Sequence, residues 1–195
     1  PDFGRVMPPY KTDTAGQAAG RLRRAAYKGA RIRYGDLSEV VIDRLEHELR
    51  LITDMGFAAY FLIVADIVAE SPRTCGRGSG AASLVAYCLK ITNVCPVKHN
   101  LYFERFLNPG RKDPPDIDVD FAWDERDRVL QSVLTRHKDH CAMVSSHICF
   151  QPRMALRETA KVFGLPEGEI SRIARRLPWF WHAETSDRDL LDHIT

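Results

Sequence analysis

The chain has 195 residues, 45% of them hydrophobic and 28% charged, with a net charge of only +2. That length can bury a sizeable core, in one domain or one and a part. The near-balanced charge does not by itself announce a nucleic-acid binder. The longest apolar run, Phe57 to Ala69, contains Asp66 and is too short to span a bilayer, so it reads as a core helix and argues against a membrane protein.

Pro1 to Tyr10 is Pro-rich and irregular in expectation. Thr14 to Lys28 carries helical spacing, with Gly29 as a natural stop. Val41, Leu45, Leu49 and Ile52 mark an amphipathic helix over Ser38 to Met55. Gly56 breaks it, and a more buried helix follows from Phe57 to Glu70, before Pro72. A glycine-rich turn and a helix run to about Lys90. Leu101 to Phe106 reads as a short helical piece, and Asn108-Pro109-Gly110 as a turn. An acidic strand follows Lys112 to Pro115. Asp124 to His137 reads as helix, and Cys141 to Cys149 is richer in strand formers. Pro152 to Phe163 forms a helix closed by Gly164, and Glu167 to Leu177 a further one. No internal repeat or low-complexity segment interrupts this order.

The five cysteines, Cys75, Cys88, Cys95, Cys141 and Cys149, form no Cys-x-x-Cys pair, which argues against a zinc site. Their odd number and the lack of a secretory leader point to reduced thiols in the cytoplasm. The start at Pro1 and the end at Thr195 suggest a piece of a longer protein.

Three aspartates alternate with three apolar residues in Asp116-Ile117-Asp118-Val119-Asp120-Phe121. On a strand, Ile117, Val119 and Phe121 share one face, and Asp116, Asp118 and Asp120 share the other. Carboxylates two residues apart then stand roughly 7 Å from one another, from a rise of about 3.3 Å per residue. Packing gives no reason to keep like charges so close, whereas a divalent cation does. A solvated acidic surface would not need the interleaved apolar residues. A calcium loop of EF-hand type fails, because its glycine position holds Phe121 and its bidentate glutamate position holds Asp127.

Upstream, Gly76-Arg77-Gly78-Ser79-Gly80 opens into a helix. Such a turn brings backbone amides close to a ligand, and a helix start adds positive partial charge. With Ser79 as a hydroxyl donor and Arg77 as a cation, the stretch reads as an anion site. It is not a Walker A loop, since no Gly-Lys-Ser/Thr follows. It is a poor dinucleotide fingerprint, since no convincing strand precedes it and position 100 is Asn. Paired with an acidic strand, it points to phosphate chemistry bridged by magnesium.

Together these blocks resemble a known family. Gly56-Phe57 with Tyr60 to Val64, then Gly76 to Gly80, then Phe103-Glu104-Arg105-Phe106-Leu107-Asn108-Pro109, then Pro115 to Phe121, are similar in order and spacing to the palm of C-family bacterial replicative DNA polymerases, the family of the DNA polymerase III alpha subunit. Arg126-Asp127 and Gln151-Pro152-Arg153 through Arg157-Glu158 resemble the segment that leads into the thumb. In the family, more residues separate the apolar helix from the Gly-Arg-Gly-Ser turn than Ser71 to Cys75 provide here. That difference points toward a divergent paralogue.

The resemblance implies an α+β fold: a nucleotidyltransferase-like palm with a small mixed sheet backed by helices, over 1–146, then part of a helical thumb, over 147–195. It implies a DNA-directed DNA polymerase whose Asp116 and Asp118, with Asp120 in support, hold two magnesium ions. Arg77, Gly78 and Ser79 would hold the phosphates of a deoxynucleoside triphosphate. Arg153, Arg157, Lys161, Arg172, Arg175 and Arg176 lie in a locally basic stretch and would track primer-template DNA by its phosphates. The third catalytic aspartate and the fingers would lie outside the chain, leaving the segment inactive alone. Other replisome subunits, such as the sliding clamp, would bind parts of the parent elsewhere. Two other readings remain open: a non-catalytic DNA-binding paralogue that keeps the fold, and a nucleotidyltransferase with another acceptor.

Overall fold

Thr14 opens the first helix, α1 (Ala15–Tyr34), with a reciprocal cap. Its hydroxyl accepts from the Gln17 N–H, and the Gln17 side chain accepts from the Thr14 N–H. Gly29 does not stop this helix, contrary to the sequence expectation. A Cβ there would lie 2.0 Å from the Cys88 carbonyl oxygen, so the glycine lets α1 press against the short helix α4 (Leu84–Cys88). The stop comes at Gly35, at φ +71°.

Ser38 caps α2 (Glu39–Asp54), its hydroxyl accepting from the Val41 N–H. Val41, Leu45, Leu49 and Ile52 form the buried stripe expected from their spacing. After Gly56, α3 (Ala58–Val68) buries Phe61, Leu62, Ile63 and Val64. Helices α1 to α4 enclose one core with Leu22, Phe57 and Phe106 at its centre. Phe106 meets Phe61 and Phe103 edge-on, each with ring centroids 6.0 Å apart. Each large apolar side chain so buried stabilises the fold by about 1.5–3 kcal/mol.

The structure is a computed structural model and describes residues 7–110, 115–147 and 149–177. Its helix-rich architecture carries one two-stranded sheet among the described residues, in keeping with an α+β class. Strand β1 (Thr74–Arg77) pairs antiparallel with β2 (Asp118–Phe121), so the sheet is not the mixed one expected. The glycine motif itself begins in β1, where the sequence offered no convincing strand. Thr74 is the only β-branched residue in that strand, and pairing with β2 makes it extended. A 3-10 turn, Gly78–Ala82, links β1 to α4, and Phe103–Arg105 forms another 3-10 turn.

The short link before β1 is anchored to α5 (Trp123–Arg136). Arg73 donates to Asp124 at 2.5 Å and to Glu125 at 2.8 Å, and Ser71 donates to Glu125. Arg136 pairs with Glu70, and Arg128 donates to the Glu70 carbonyl.

The chain divides into two compact units, Pro1–Ala142 and Met143–Thr195. In the second, α6 (Pro152–Val162) packs on α7 (Glu167–Arg176), and Ile170, Ala174 and Leu177 are buried. The strand formers between Cys141 and Cys149 build no strand among the described residues. Among the described residues, no single helix is long and apolar enough to cross a membrane.

Candidate active site

The alternation in the acidic strand is realised in space. Ile117, Val119 and Phe121 are half-buried and pack against the core. Asp116 and Asp120 are exposed, and Asp118 is half-exposed. The strand proper begins at Asp118, with Asp116 and Ile117 just before it.

Arg77 shows that Asp118 and Asp120 lie on one side. Its Nε donates to Asp120 at 3.0 Å, and its Nη1 stands 3.8 Å from Asp118. The guanidinium pKa is raised first by the Asp120 hydrogen bond and charge, then by Asp118 and, more weakly, by Asp116. Tyr60 of α3 lies beneath the same run. Burial raises its phenol pKa, opposed by a backbone hydrogen bond from Ile117, while Asp116 and Asp118 push it further up.

Gly78 joins the loop to the acidic strand. It takes φ +67°, and a Cβ there would lie 2.9 Å from the Asp118 Oδ2. Any larger residue would be strained and would crowd the carboxylate. Gly76 has a structural task, since a Cβ on it would meet the Ile91 carbonyl oxygen at 2.2 Å. Exposed Ser79, with Gly78, lines a cleft of about 390 Å³ whose other walls include Ala82, Leu101, Tyr102 and exposed Arg105. Arg77 is turned to the aspartates and does not line this cleft.

One expectation about this loop is corrected. The amides at the start of α4 are not open to an outside anion. The Val85 N–H donates to Glu48 at 3.1 Å, the Leu84 amide also bonds that carboxylate, and the Ala86 N–H donates to Ser83 at 3.1 Å. The Glu48 carboxyl of α2 already occupies that helix start. The 3-10 turn itself stays open, with Ser79 and Arg105 lining the same cleft. Arg105, Tyr60 and Glu48 were not singled out as site residues by local reading. Arg105 sits in the Phe103 to Pro109 block and Tyr60 in the Tyr60 to Val64 block, whereas Glu48 carries no local signal.

Carboxylate oxygens on an accessible face suit a hard divalent cation such as magnesium. Of the three aspartates, Asp120 is held by the Arg77 Nε at 3.0 Å, and Asp118 lies 3.8 Å from the Arg77 Nη1. Among the described residues, no group of three His, Cys, Asp or Glu side chains is arranged to hold a metal ion.

Arg153 donates twice to the Leu177 carbonyl, at 2.9 and 2.6 Å. Arg157 pairs with Glu167 and reaches Ser171, and Lys161 pairs with Glu158 at 2.8 Å. These three hold partners inside their own unit. Arg172, Arg175 and Arg176 are exposed on α7, and their spacing puts them on one helix face.

Residues 20–193 match the family described as the bacterial DNA polymerase III alpha NTPase domain. An error-prone DNA polymerase of Symbiobacterium thermophilum is 41% identical over 180 residues, covering 90% of this chain and 17% of the relative. A DNA polymerase III subunit alpha of Borreliella burgdorferi is 36% identical over 182 residues, covering 90% of this chain and 16% of the relative. Its counterpart in Aquifex aeolicus is 39% identical over 183 residues, covering 89% and 16%. The chain thus spans about a sixth of the length of these relatives.

Proposed function

The chain belongs to the bacterial DNA polymerase III alpha family, and from that premise we propose that it supplies part of the active site of a DNA-directed DNA polymerase. In this reading the first unit is palm and the second the beginning of a helical thumb. The reaction joins a primer 3′-hydroxyl to the α-phosphorus of a deoxynucleoside triphosphate and releases pyrophosphate.

The observation that carries the reading is the close approach of Gly78 to Asp118. It supports reading the phosphate turn and the acidic strand as one site. Asp116 and Asp118 would hold the magnesium ions, two in the family's arrangement, which supply charge neutralisation and an acidified primer hydroxyl when bound. Ser79 donates its hydroxyl to a triphosphate oxygen, with the Gly78 backbone beside it. Arg105 brings a cation to the same cleft. Arg77 is held by Asp120 at the edge of the carboxylates, where it offsets their mutual repulsion and can meet the triphosphate from that side. Exposed Arg172, Arg175 and Arg176 contact the phosphates of primer-template DNA.

The remaining carboxylate and the fingers are assigned to the parts of the relatives outside the matched sixth, so the segment alone incorporates no nucleotide. Other replisome subunits, the sliding clamp among them, would bind there too. The setting is cytoplasmic. Primer extension by the full-length gene product tests the reading. Asp118→Asn should lower incorporation about 10³-fold, and Ser79→Ala should raise the KM for nucleotide. Full activity in Asp118→Asn overturns it.

A further inference from the structure

Glu48 is the only fully buried charged side chain among the described residues, at 0% exposure. Its Oε1 accepts from the Arg44 Nε at 3.0 Å. Its Oε2 accepts from the Ser83 hydroxyl at 2.9 Å and the Val85 N–H at 3.1 Å. Burial raises its pKa, while the Leu84 and Val85 amides and Arg44 pull the other way.

Arg44 carries the connection outward. Its Nη2 donates to the Ala82 carbonyl at 2.8 Å and to the Leu101 carbonyl at 2.6 Å. Ala82 ends the 3-10 turn that holds Ser79, and Leu101 precedes the segment that holds Arg105. Both carbonyls belong to residues that line the 390 Å³ cleft. One guanidinium therefore ties its two walls together, and the carboxylate behind it fixes the guanidinium.

Stability alone is a poor account of this pair. Buried ion pairs can often be replaced by apolar residues without loss, because desolvation offsets much of the attraction. Geometry is a better one, since the planar fork reaches a carboxylate and two carbonyls at fixed angles.

We propose that Arg44 and Glu48 are positioning residues that set the width of the nucleotide cleft, acting through the Ala82 and Leu101 carbonyls on Ser79 and Arg105. Neither touches nucleotide. The proposal rests on the reading of the cleft as the triphosphate site.

The test is steady-state incorporation by the full-length gene product with Arg44→Lys, Glu48→Gln and Ser79→Ala. Each variant is also measured for thermal unfolding and for affinity to primed DNA. A lysine keeps the charge but cannot span both carbonyls and the carboxylate. Arg44→Lys should raise the KM for nucleotide about tenfold, given that misplacing a binding group by a fraction of an ångström has effects of that order. The unfolding midpoint and DNA affinity should stay near those of the unmodified protein, and Glu48→Gln should follow with a smaller effect. A folded Arg44→Lys protein with unchanged KM overturns the proposal, as does equal weakening of DNA affinity. Loss of cooperative folding in both variants overturns it too, because the pair then serves the whole fold. If Ser79→Ala also leaves KM unchanged, the reading of the cleft has failed. If Ser79→Ala raises KM and Arg44→Lys does not, only the positioning role has failed.

Discussion

Arg77 donates its Nε–H to Asp120 at 3.0 Å while facing Asp118 in the β1–β2 ladder, 3.8 Å from its carboxylate. The nearer partner leaves Asp118 the freer carboxylate. The two aspartates should therefore respond differently to substitution. Asp118→Asn should lower incorporation by the full-length protein about 10³-fold, the order expected when a main electrostatic element is removed. Asp120→Asn releases Arg77 and should cost about tenfold or less on the same scale. Primer-extension rates at saturating nucleotide decide the matter. Equal losses would make Asp120 a ligand of the same rank.

Two glycines of α1 should respond with opposite signs. Gly20→Ala meets only the Arg24 side chain at 3.5 Å. It should stabilise the fold by about 0.5–1 kcal/mol, the helical cost of glycine relative to alanine. Gly29→Ala drives a methyl into the Cys88 carbonyl. It should destabilise by about 1–3 kcal/mol or more, as overpacking does. Urea unfolding of the two variants checks the signs.

Gly29 also shows where local reading stops. From sequence, a glycine after a periodic stretch is a helix end. Its use here depends on Cys88, on another helix. Glu48 is a similar case: an Arg44–Glu48 pair four residues apart reads as surface charge until Ser83, 35 residues on, closes over it. The acidic strand was legible because alternation depends only on its own residues. The apolar stripe of α2 was legible for the same reason. The loop's place beside Asp118 followed from the family resemblance and from the pairing of two motifs, while its 3-10 form and the occupied start of α4 depended on distant contacts.

Acid should weaken the fold through four identifiable carboxyls. Arg21 holds Asp13 below its ordinary value, and Arg23 and Tyr27 hold Glu46 below its own. Arg73 does so for Asp124, and Ser71 with Arg73 for Glu125. Each folded value lies below the unfolded one. Each group therefore stabilises the fold above the unfolded value, 3.8 for Asp and 4.5 for Glu, and loses that contribution as pH falls through the folded value. The thermal midpoint should be level near neutrality and fall once pH drops below 4.5. Arg73→Ala should make that acid limb shallower, and high salt should do the same for these surface pairs. An acid limb unchanged by Arg73→Ala would show that this cluster does not contribute.

Thiol labelling should sort the cysteines by burial. Cys75 and Cys149 are exposed, whereas Cys88 is buried with its pKa pushed up to about 12 by burial and the nearby Glu48 charge. The thiolate is the reactive form. Iodoacetamide at neutral pH should modify Cys75 and Cys149 first and reach Cys88 only after unfolding, as peptide mass mapping would show. Early labelling of Cys88 would mean that the contact between α1 and α4 opens readily.

The face of α7 formed by Arg172, Arg175 and Arg176 gives a quantitative test of DNA contact. Backbone contacts release condensed counterions, so each should steepen the fall of log affinity with log salt by about 0.9 for duplex DNA. Phosphates carry no sequence, so unrelated duplexes should behave alike. Arg153 and Arg157 of α6 bond to Leu177 and Glu167, so their replacement would disturb the α6–α7 packing as well as any DNA contact, while Lys161 pairs with Glu158 on its own helix. Replacing the three α7 arginines with alanine should flatten the slope by about 2–3 if all three contact phosphates, equally for unrelated sequences. Helix content by circular dichroism should persist, since alanine favours a helix at least as well as arginine. If the slope is unchanged while the protein stays folded, the face is ordinary solvated surface and DNA is held elsewhere. If only one sequence is weakened, the arginines read bases, and the backbone-tracking role is wrong.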